Sequence, residues 1–234
     1  MTEAGGRPAG GLVIFDCDGV LVDSEPISIR CTAAALNRFG YPIDEDGVFD
    51  RFLGASTASM VATVEASLGR PLAPEALDDL RREILAAFDR ELTAIPGVAE
   101  AAARLERPFC VASSSIPERI RHSLRLTGLL PLFEPAIFSA TMVVHGKPAP
   151  DLFLLAAKRL GADPAGCVVV EDSIHGVRAG QAAGMAVLGF TGGSHVAGDP
   201  ARRERHAWRL KQAGAALVFD RMEELPGLVR EVSR

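Results

Sequence analysis

Six apolar runs of strand length punctuate the chain: LVIF at 12–15, PFCVAS at 108–113, AIFSA at 136–140, CVVVE at 167–171, AVLGF at 186–190 and ALVF at 216–219. They are continuous rather than alternating, the signature of parallel strands covered on both faces. Helical patterns fall between them. DLFLLAAKRLG follows Pro150 and stops at Gly161, and SIHGVRAGQAAG has Ser173 as a candidate N-cap and Gly184 as its stop. This alternation predicts an α/β fold built on a doubly wound parallel sheet.

The stretch from 24 to 94 breaks that rhythm. It has no clear strand and several helical signals. Ser24-Glu25-Pro26 opens one helix, which Gly40 closes; STASMVATVEASLG is a second; Pro74 opens a third that runs toward Leu92. The chain therefore reads as an α/β core of residues 1–23 and 95–234 with an all-helical cap domain at 24–94. AIPG at 94–97 marks the return to the core. The insertion falls just beyond the C-terminal end of the first strand, where open α/β sheets bind ligands.

The acids at strand ends carry the chemistry. Residues i and i+2 of a strand point the same way, so Asp16 and Asp18, which leave the first run, both face the edge crevice, and Gly19 permits a sharp turn there. CVVVEDS puts Glu171 and Asp172 at the end of another run, PFCVASSS puts Ser113, Ser114 and Ser115 at the end of a third, and HGKPAP puts Lys147 in a Pro/Gly-bounded loop. A parallel sheet gathers all of these at one edge. Four carboxylates in one crevice repel unless cations balance them. Lys147 supplies one charge, and Mg²⁺, a hard ion that takes carboxylates, waters and a phosphate, fits the rest. Hydroxyls and free helix N–H groups are anion donors. The pattern reads as a metal, a phosphate and a carboxylate nucleophile.

At this point the sequence resembles the haloacid dehalogenase-like (HAD) hydrolase superfamily. DCDGVLVDSE is similar to its first motif, VASSS to its second, GKPAPDLF to its third and VVEDSIHGVRAGQAAGM to its fourth, in the right order over most of the chain. The helical insertion resembles the cap of the branch that contains β-phosphoglucomutase and many sugar-phosphate phosphatases. The resemblance implies a Rossmann-like core and a role for each residue. Asp16 would be the nucleophile that forms an aspartyl-phosphate. Asp18 would protonate the leaving alcohol and then take a proton from water. Ser113 would hydrogen-bond the phosphoryl group, with Ser114 next to it in the same turn, and Lys147 would offset charge on the phosphoryl group and Asp16. Asp172, the Asp16 carboxylate and the Asp18 backbone carbonyl would hold Mg²⁺, and Glu171 would bind it directly or through water.

Other features read as structural. Asp23 and Ser115 are expected as helix caps, His145 as surface, His175 as a local contact, His122 and Arg121 as solvated, and TGGSH at 191–195 as a flexible loop. Cys17, Cys31, Cys110 and Cys167 are scattered, which suits buried thiols in a reducing cytosol better than disulfides or zinc, and Cys17 is given no chemical role. The net charge is −5 with no basic block, and RRERHAWRLK at 202–211 reads as a solvated helix face, so neither nucleic acid nor a membrane surface is an expected partner. The N-terminus lacks a signal peptide pattern and no apolar run approaches about 20 residues; a cytoplasmic monomer is expected.

Specificity should reside in the cap. RFLGAST at 51–57 resembles the cap loop that reaches toward substrate, and Thr57 stands where the mutases carry an Arg for a second phosphate, with Arg51 earlier in the loop. This favours a phosphatase for a phosphorylated sugar, sugar acid or sugar alcohol over a phosphohexomutase. Asp18 argues against a dehalogenase, and the Asp-x-Asp-Gly spacing and the insertion argue against a non-enzymatic receiver-like phosphoacceptor.

Overall fold

The computed structural model describes residues 11–53 and 57–233. In chain order its elements are β1 (Val13–Phe15), α1 (Glu25–Arg38), α2 (Glu45–Phe52), α3 (Thr57–Leu68), α4 (Ala76–Glu91), α5 (Val98–Ala103), β2 (Phe109–Ser113), α6 (Pro117–Leu126), α7 (Leu130–Phe133), β3 (Ile137–Ser139), α8 (Asp151–Arg159), β4 (Val168–Glu171), α9 (Ile174–Ala182), β5 (Ala186–Phe190), α10 (Ser194–Ala197), α11 (Pro200–Ala213), β6 (Leu217–Phe219) and α12 (Leu225–Val232). The strands form one sheet in the order β3-β2-β1-β4-β5-β6, and every pair is parallel.

Alternate residues of each apolar run enter different cores. Val13, Phe15, Val111, Val168, Val170 and Leu188 face one apolar cluster, and Leu12, Ile14, Cys110, Ala112, Val169 and Val187 face the other. Both faces are covered, which is why the runs have no polar alternation. The chain runs outward from β1 through β2 to β3 and then crosses back to β4 on the other side of β1, so the strand order reverses beside β1. Ligands of open α/β sheets bind at such a switch point, outside the carboxyl ends of the strands.

The segment between β1 and α5 forms an insertion of four helices, α1 to α4, with no strand among the described residues. One of its helices, α2, was not anticipated: its pattern is only eight residues long, interrupted by Gly47, and is anchored by the Asp44 side chain accepting from Gly47 N. The two chain crossings into and out of the insertion are joined to each other. Asp23 N donates to Thr93 O and Ile95 N to Leu21 O, at 2.9 and 3.0 Å, and Val22 forms an antiparallel bridge with Ala94. The insertion is thereby rooted directly above Asp16 and Asp18. It is also packed onto the core: Leu80, Ile84 and Phe88 of α4 belong to the same cluster as Phe15, while Val196 of α10 lies in the cluster formed by Ile29, Val48, Phe49 and Val64. No helix of the described residues is long and apolar enough to cross a membrane.

Candidate active site

β1 delivers Asp16 to the sheet edge, and Asp16 N donates to Val170 O at 2.9 Å, which keeps it level with the end of β4. The turn that follows is possible only for glycine. Gly19 has φ +79, and a Cβ there would stand 1.9 Å from Asp172 Oδ2. Motif-one backbone and the Asp172 carboxylate are therefore in direct contact.

Lys147 ties three strand ends together. Its side chain is 4% exposed, and Nζ donates to Asp16 Oδ1 at 2.5 Å, Glu171 Oε1 at 2.7 Å and Ala112 O at 3.0 Å. All three ammonium protons are used. Burial alone would lower the Lys147 pKa; Asp16 and Glu171 outweigh it, and the ammonium stays charged. Glu171 Oε2 accepts from both Ser173 N and Ser173 Oγ, at 2.8 and 2.9 Å. Both oxygens of Glu171 are thus engaged in holding Lys147 and the head of α9, where Ser173 is the N-cap the sequence suggests.

Asp16 and Asp172 are otherwise short of donors. Asp16 Oδ2 and both Asp172 carboxylate oxygens accept no hydrogen bond among the described residues, and His195 Nε2 lies 3.8 Å from Asp172 Oδ2. Burial pushes Asp16 up to about 7, with Lys147 opposing and Glu171 and Asp18 adding to the rise. Burial, then Glu171, Asp16 and Glu25, raise Asp172 well above the carboxylate range. Two buried carboxylates that destabilise each other's charge form a donor set suited to a cation. No three acidic, His or Cys side chains among the described residues are arranged as a closed metal centre.

Asp18 has a different environment. Its oxygens accept from Ser24 Oγ (2.8 Å), Ser115 Oγ (2.8 Å) and Arg119 Nη2 (3.0 Å). Burial would raise its pKa; the Arg119 charge and these three hydrogen bonds outweigh it and hold Asp18 below the usual value. Ser115 therefore does not act as the expected cap: α6 starts at Pro117 behind Ile116, which offers no side-chain cap. Asp23 does not cap α1 either, because its Oδ1 accepts from Ser194 N at 3.0 Å. Ser113 is buried, and its Oγ accepts from Ser115 N at 3.0 Å, while Ser114 is exposed on the same turn.

These groups line one cavity of about 380 Å³ between core and insertion. Asp16, Asp18, Ser113, Ser114, Lys147, Glu171 and Asp172 all reach it, so the motif residues meet as the sequence predicts. The roof comes from the insertion and is largely apolar, with Ile29, Phe52, Met60, Leu80 and Ile84, plus one cation, Arg81. Thr57 also lines it. Arg51 does not: it donates to Tyr41 Oη at 2.8 Å. Residues 54–56 of the cap loop lie outside the described residues. Sequence reading missed Arg119, Arg81 and Glu25; burial, then Asp18, push the Glu25 carboxyl up to about 8. His175, read as a local contact, lines the cavity with Nδ1 buried and unpartnered among the described residues. His145 is exposed as expected and contacts Asp151. TGGSH is not a loose loop: Thr191 and His195 are buried and Ser194 begins α10. Nor is 202–211 wholly solvated, because His206 and Leu210 are buried.

Comparison with known proteins agrees with this geometry. The family model described as haloacid dehalogenase-like hydrolase matches residues 11–184, and a second, HAD-hydrolase-like model matches 144–225. The chain is 35% identical over 184 residues to the 6-phosphogluconate phosphatase of Escherichia coli (strain K12), covering 78% of this chain and 83% of that protein. The structure is similar to a conserved haloacid dehalogenase-like protein of unknown function from Agrobacterium tumefaciens, at 40% identity and TM-score 0.84 over 96% and 100% of the two chains. It is also similar to a HAD family hydrolase from Deinococcus radiodurans R1 with bound phosphate and sodium, at 33% identity and TM-score 0.75 over 97% of each chain. With strand order, motif placement and these relatives in agreement, the chain belongs to the haloacid dehalogenase-like hydrolases and is a phosphoric monoester hydrolase.

Proposed function

We propose that this protein is a Mg²⁺-dependent phosphatase of a small phosphorylated sugar, sugar acid or sugar alcohol, acting through an aspartyl-phosphate on Asp16. The observation that carries the reading is Lys147, which fixes one oxygen of Asp16, a residue that lines the cavity, and leaves the other without a donor among the described residues. Asp16 and Asp172, with the Asp18 backbone carbonyl, would hold Mg²⁺, which when bound neutralises phosphate charge and favours the ionised form of Asp16. Glu171, with both oxygens engaged, serves as the brace of Lys147 and would meet the ion through water.

In the first half-reaction Asp16 Oδ2 attacks phosphorus, the bond to the leaving oxygen breaks, and Asp18 gives that oxygen a proton. Asp18 must be protonated for this step. The incoming phosphate dianion raises its proton affinity against the pull of Arg119. In the second half-reaction Asp18, now ionised, takes a proton from water. The water oxygen attacks phosphorus, and Asp16 leaves as carboxylate. Ser113 and Ser114 face the phosphoryl oxygens, and the Lys147 ammonium, its protons committed to Asp16, Glu171 and Ala112 O, offsets charge on them and on Asp16. The roof excludes bulk water and strengthens these contacts.

The substrate class is supported by the E. coli relative, named for a phosphorylated sugar acid, and by the phosphate in the D. radiodurans structure. Phosphate release over a panel of sugar phosphates should occur with Mg²⁺ and vanish with EDTA. Asp16→Asn should lose at least about 10³-fold, since no nucleophile remains. Retained turnover in that variant removes the covalent route.

A further inference from the structure

Asp172 is held from outside the cavity as well. β4 ends at Glu171, so the Asp172 carbonyl has no ladder partner, and a buried carbonyl needs a donor. His206 of α11 supplies it. The residue is 4% exposed and its Nε2 lies 2.7 Å from Asp172 O. A carbonyl only accepts, so Nε2 carries the proton and donates.

The cap reaches this same ring. Phe49 of α2 is buried, with its centroid 6.1 Å from that of His206 and 6.1 Å from that of His195, and the two imidazoles stand 6.3 Å apart, edge to face. The Arg202 guanidinium covers Phe49 at 4.9 Å and pairs with Asp46, one turn earlier on α2, while Arg209 lies 3.9 Å from Asp50. A leucine at 206 would pack against Phe49 equally well. What only an N–H donor adds is a fixed Asp172 peptide, and hence a fixed direction for the carboxylate that this peptide carries.

We infer that His206 is a positioning residue for Asp172, and that Phe49 makes this hold depend on the cap being seated on the core. The inference rests on the assignment of Asp172 to Mg²⁺. Loss of one partner outside a metal's ligands typically weakens metal affinity about 10- to 100-fold.

The test is a Mg²⁺ titration of isotope-labelled, substrate-free protein followed by NMR, which reads affinity without turnover. His206→Leu should weaken Mg²⁺ at least about 10-fold, and His206→Gln, which restores an N–H at similar reach, should recover most of the loss. Phe49→Ala should weaken Mg²⁺ several-fold and speed amide exchange at residues 172–176 while leaving β5 unchanged. Wild-type affinity in folded His206→Leu, with affinity lost in Asp172→Asn, overturns the inference alone; wild-type affinity in both overturns the metal assignment beneath it. If His206→Leu does not fold, His206→Asn, too short to reach the carbonyl, is compared with His206→Gln, and equal affinities overturn the role. Unchanged affinity in Phe49→Ala overturns the dependence on the cap.

Discussion

His195 is buried with neither ring nitrogen hydrogen-bonded among the described residues, and burial, then His206 and Arg202, lower its pKa to about 3. An unfolded histidine titrates near 6.5. Between those values the unfolded chain binds a proton that the folded one refuses, so His195 contributes a loss of stability as pH drops below about 6.5, opposite in sign to the gain from Asp16 and Glu25, whose raised pKa values make the folded chain the better proton binder. The slope is about 1.4 kcal/mol per pH unit for one such group. His195→Phe, which keeps a flat ring beside Phe49, should raise the urea midpoint relative to wild type more at pH 5 than at pH 7; an equal difference at both would deny His195 this acid sensitivity. Arg81 is the one roof cation in the cavity among the described residues, and its surface pair with Asp78, at 3.1 Å, leaves it available. Arg81→Ala should raise KM several-fold for sugar-acid phosphates with kcat kept, and leave neutral sugar phosphates nearly unchanged; equal effects on both would deny it a carboxylate-reading role. Asp16, Asp18, Ser113, Lys147, Glu171 and Asp172 were legible because each ends or follows an apolar run, and a parallel sheet brings such ends together. Arg119, Arg81 and His206 sit inside helices whose patterns give no sign of what they face. The partners of His206 and Arg119 stand just past strand ends, 34 and 101 residues away, and Arg81 meets the cavity only because the insertion folds over it.

The six strands match their apolar runs to within a residue or so, because burial on both faces leaves no other pattern available to them. Helix stops were equally plain where glycine follows an amphipathic run. The failures have physical causes. α2 is short and its stability comes from Phe49 and Val48 packing rather than from propensity, and TGGSH is polar in sequence yet fixed by Asp23 and by burial under the cap. The junction of β4 and α9 is the most constrained. A Cβ on Gly176 would stand 1.7 Å from Glu171 Oε1, the atom that Lys147 also uses. Gly176→Ala must therefore push Glu171 off Lys147 or shift α9. The expected outcome is a loss of about 2 kcal/mol or more in stability, in the range of overpacked cores, together with at least tenfold lower turnover. A variant that keeps wild-type stability and rate would show that the Glu171 brace is dispensable.

At the scale of the whole molecule, the cavity is lined, among the described residues, by five carboxyl groups, Asp16, Asp18, Glu25, Glu171 and Asp172, against three cations, Arg81, Lys147 and Arg119. Lys147 and Arg119 are already committed to Asp16, Glu171 and Asp18. A phosphate dianion entering this cavity alone finds two of its three cations already committed to carboxylates, and a divalent ion entering alone is only partly coordinated by two carboxylates. Each supplies what the other lacks, so their binding must be cooperative, and the effect is reciprocal. Ligand at a hundredfold over its Kd stabilises by about 2.7 kcal/mol, which for a chain of this size is a rise of about 5–10 °C in Tm. Thermal melts should show little shift with orthophosphate alone, a small one with Mg²⁺ alone, and a shift larger than their sum with both. Orthophosphate that stabilises as strongly in EDTA as in Mg²⁺ would mean that Lys147, Ser113 and Ser114 hold the anion by themselves, and that the paired acids at the ends of β1 and β4 need no ion to receive it.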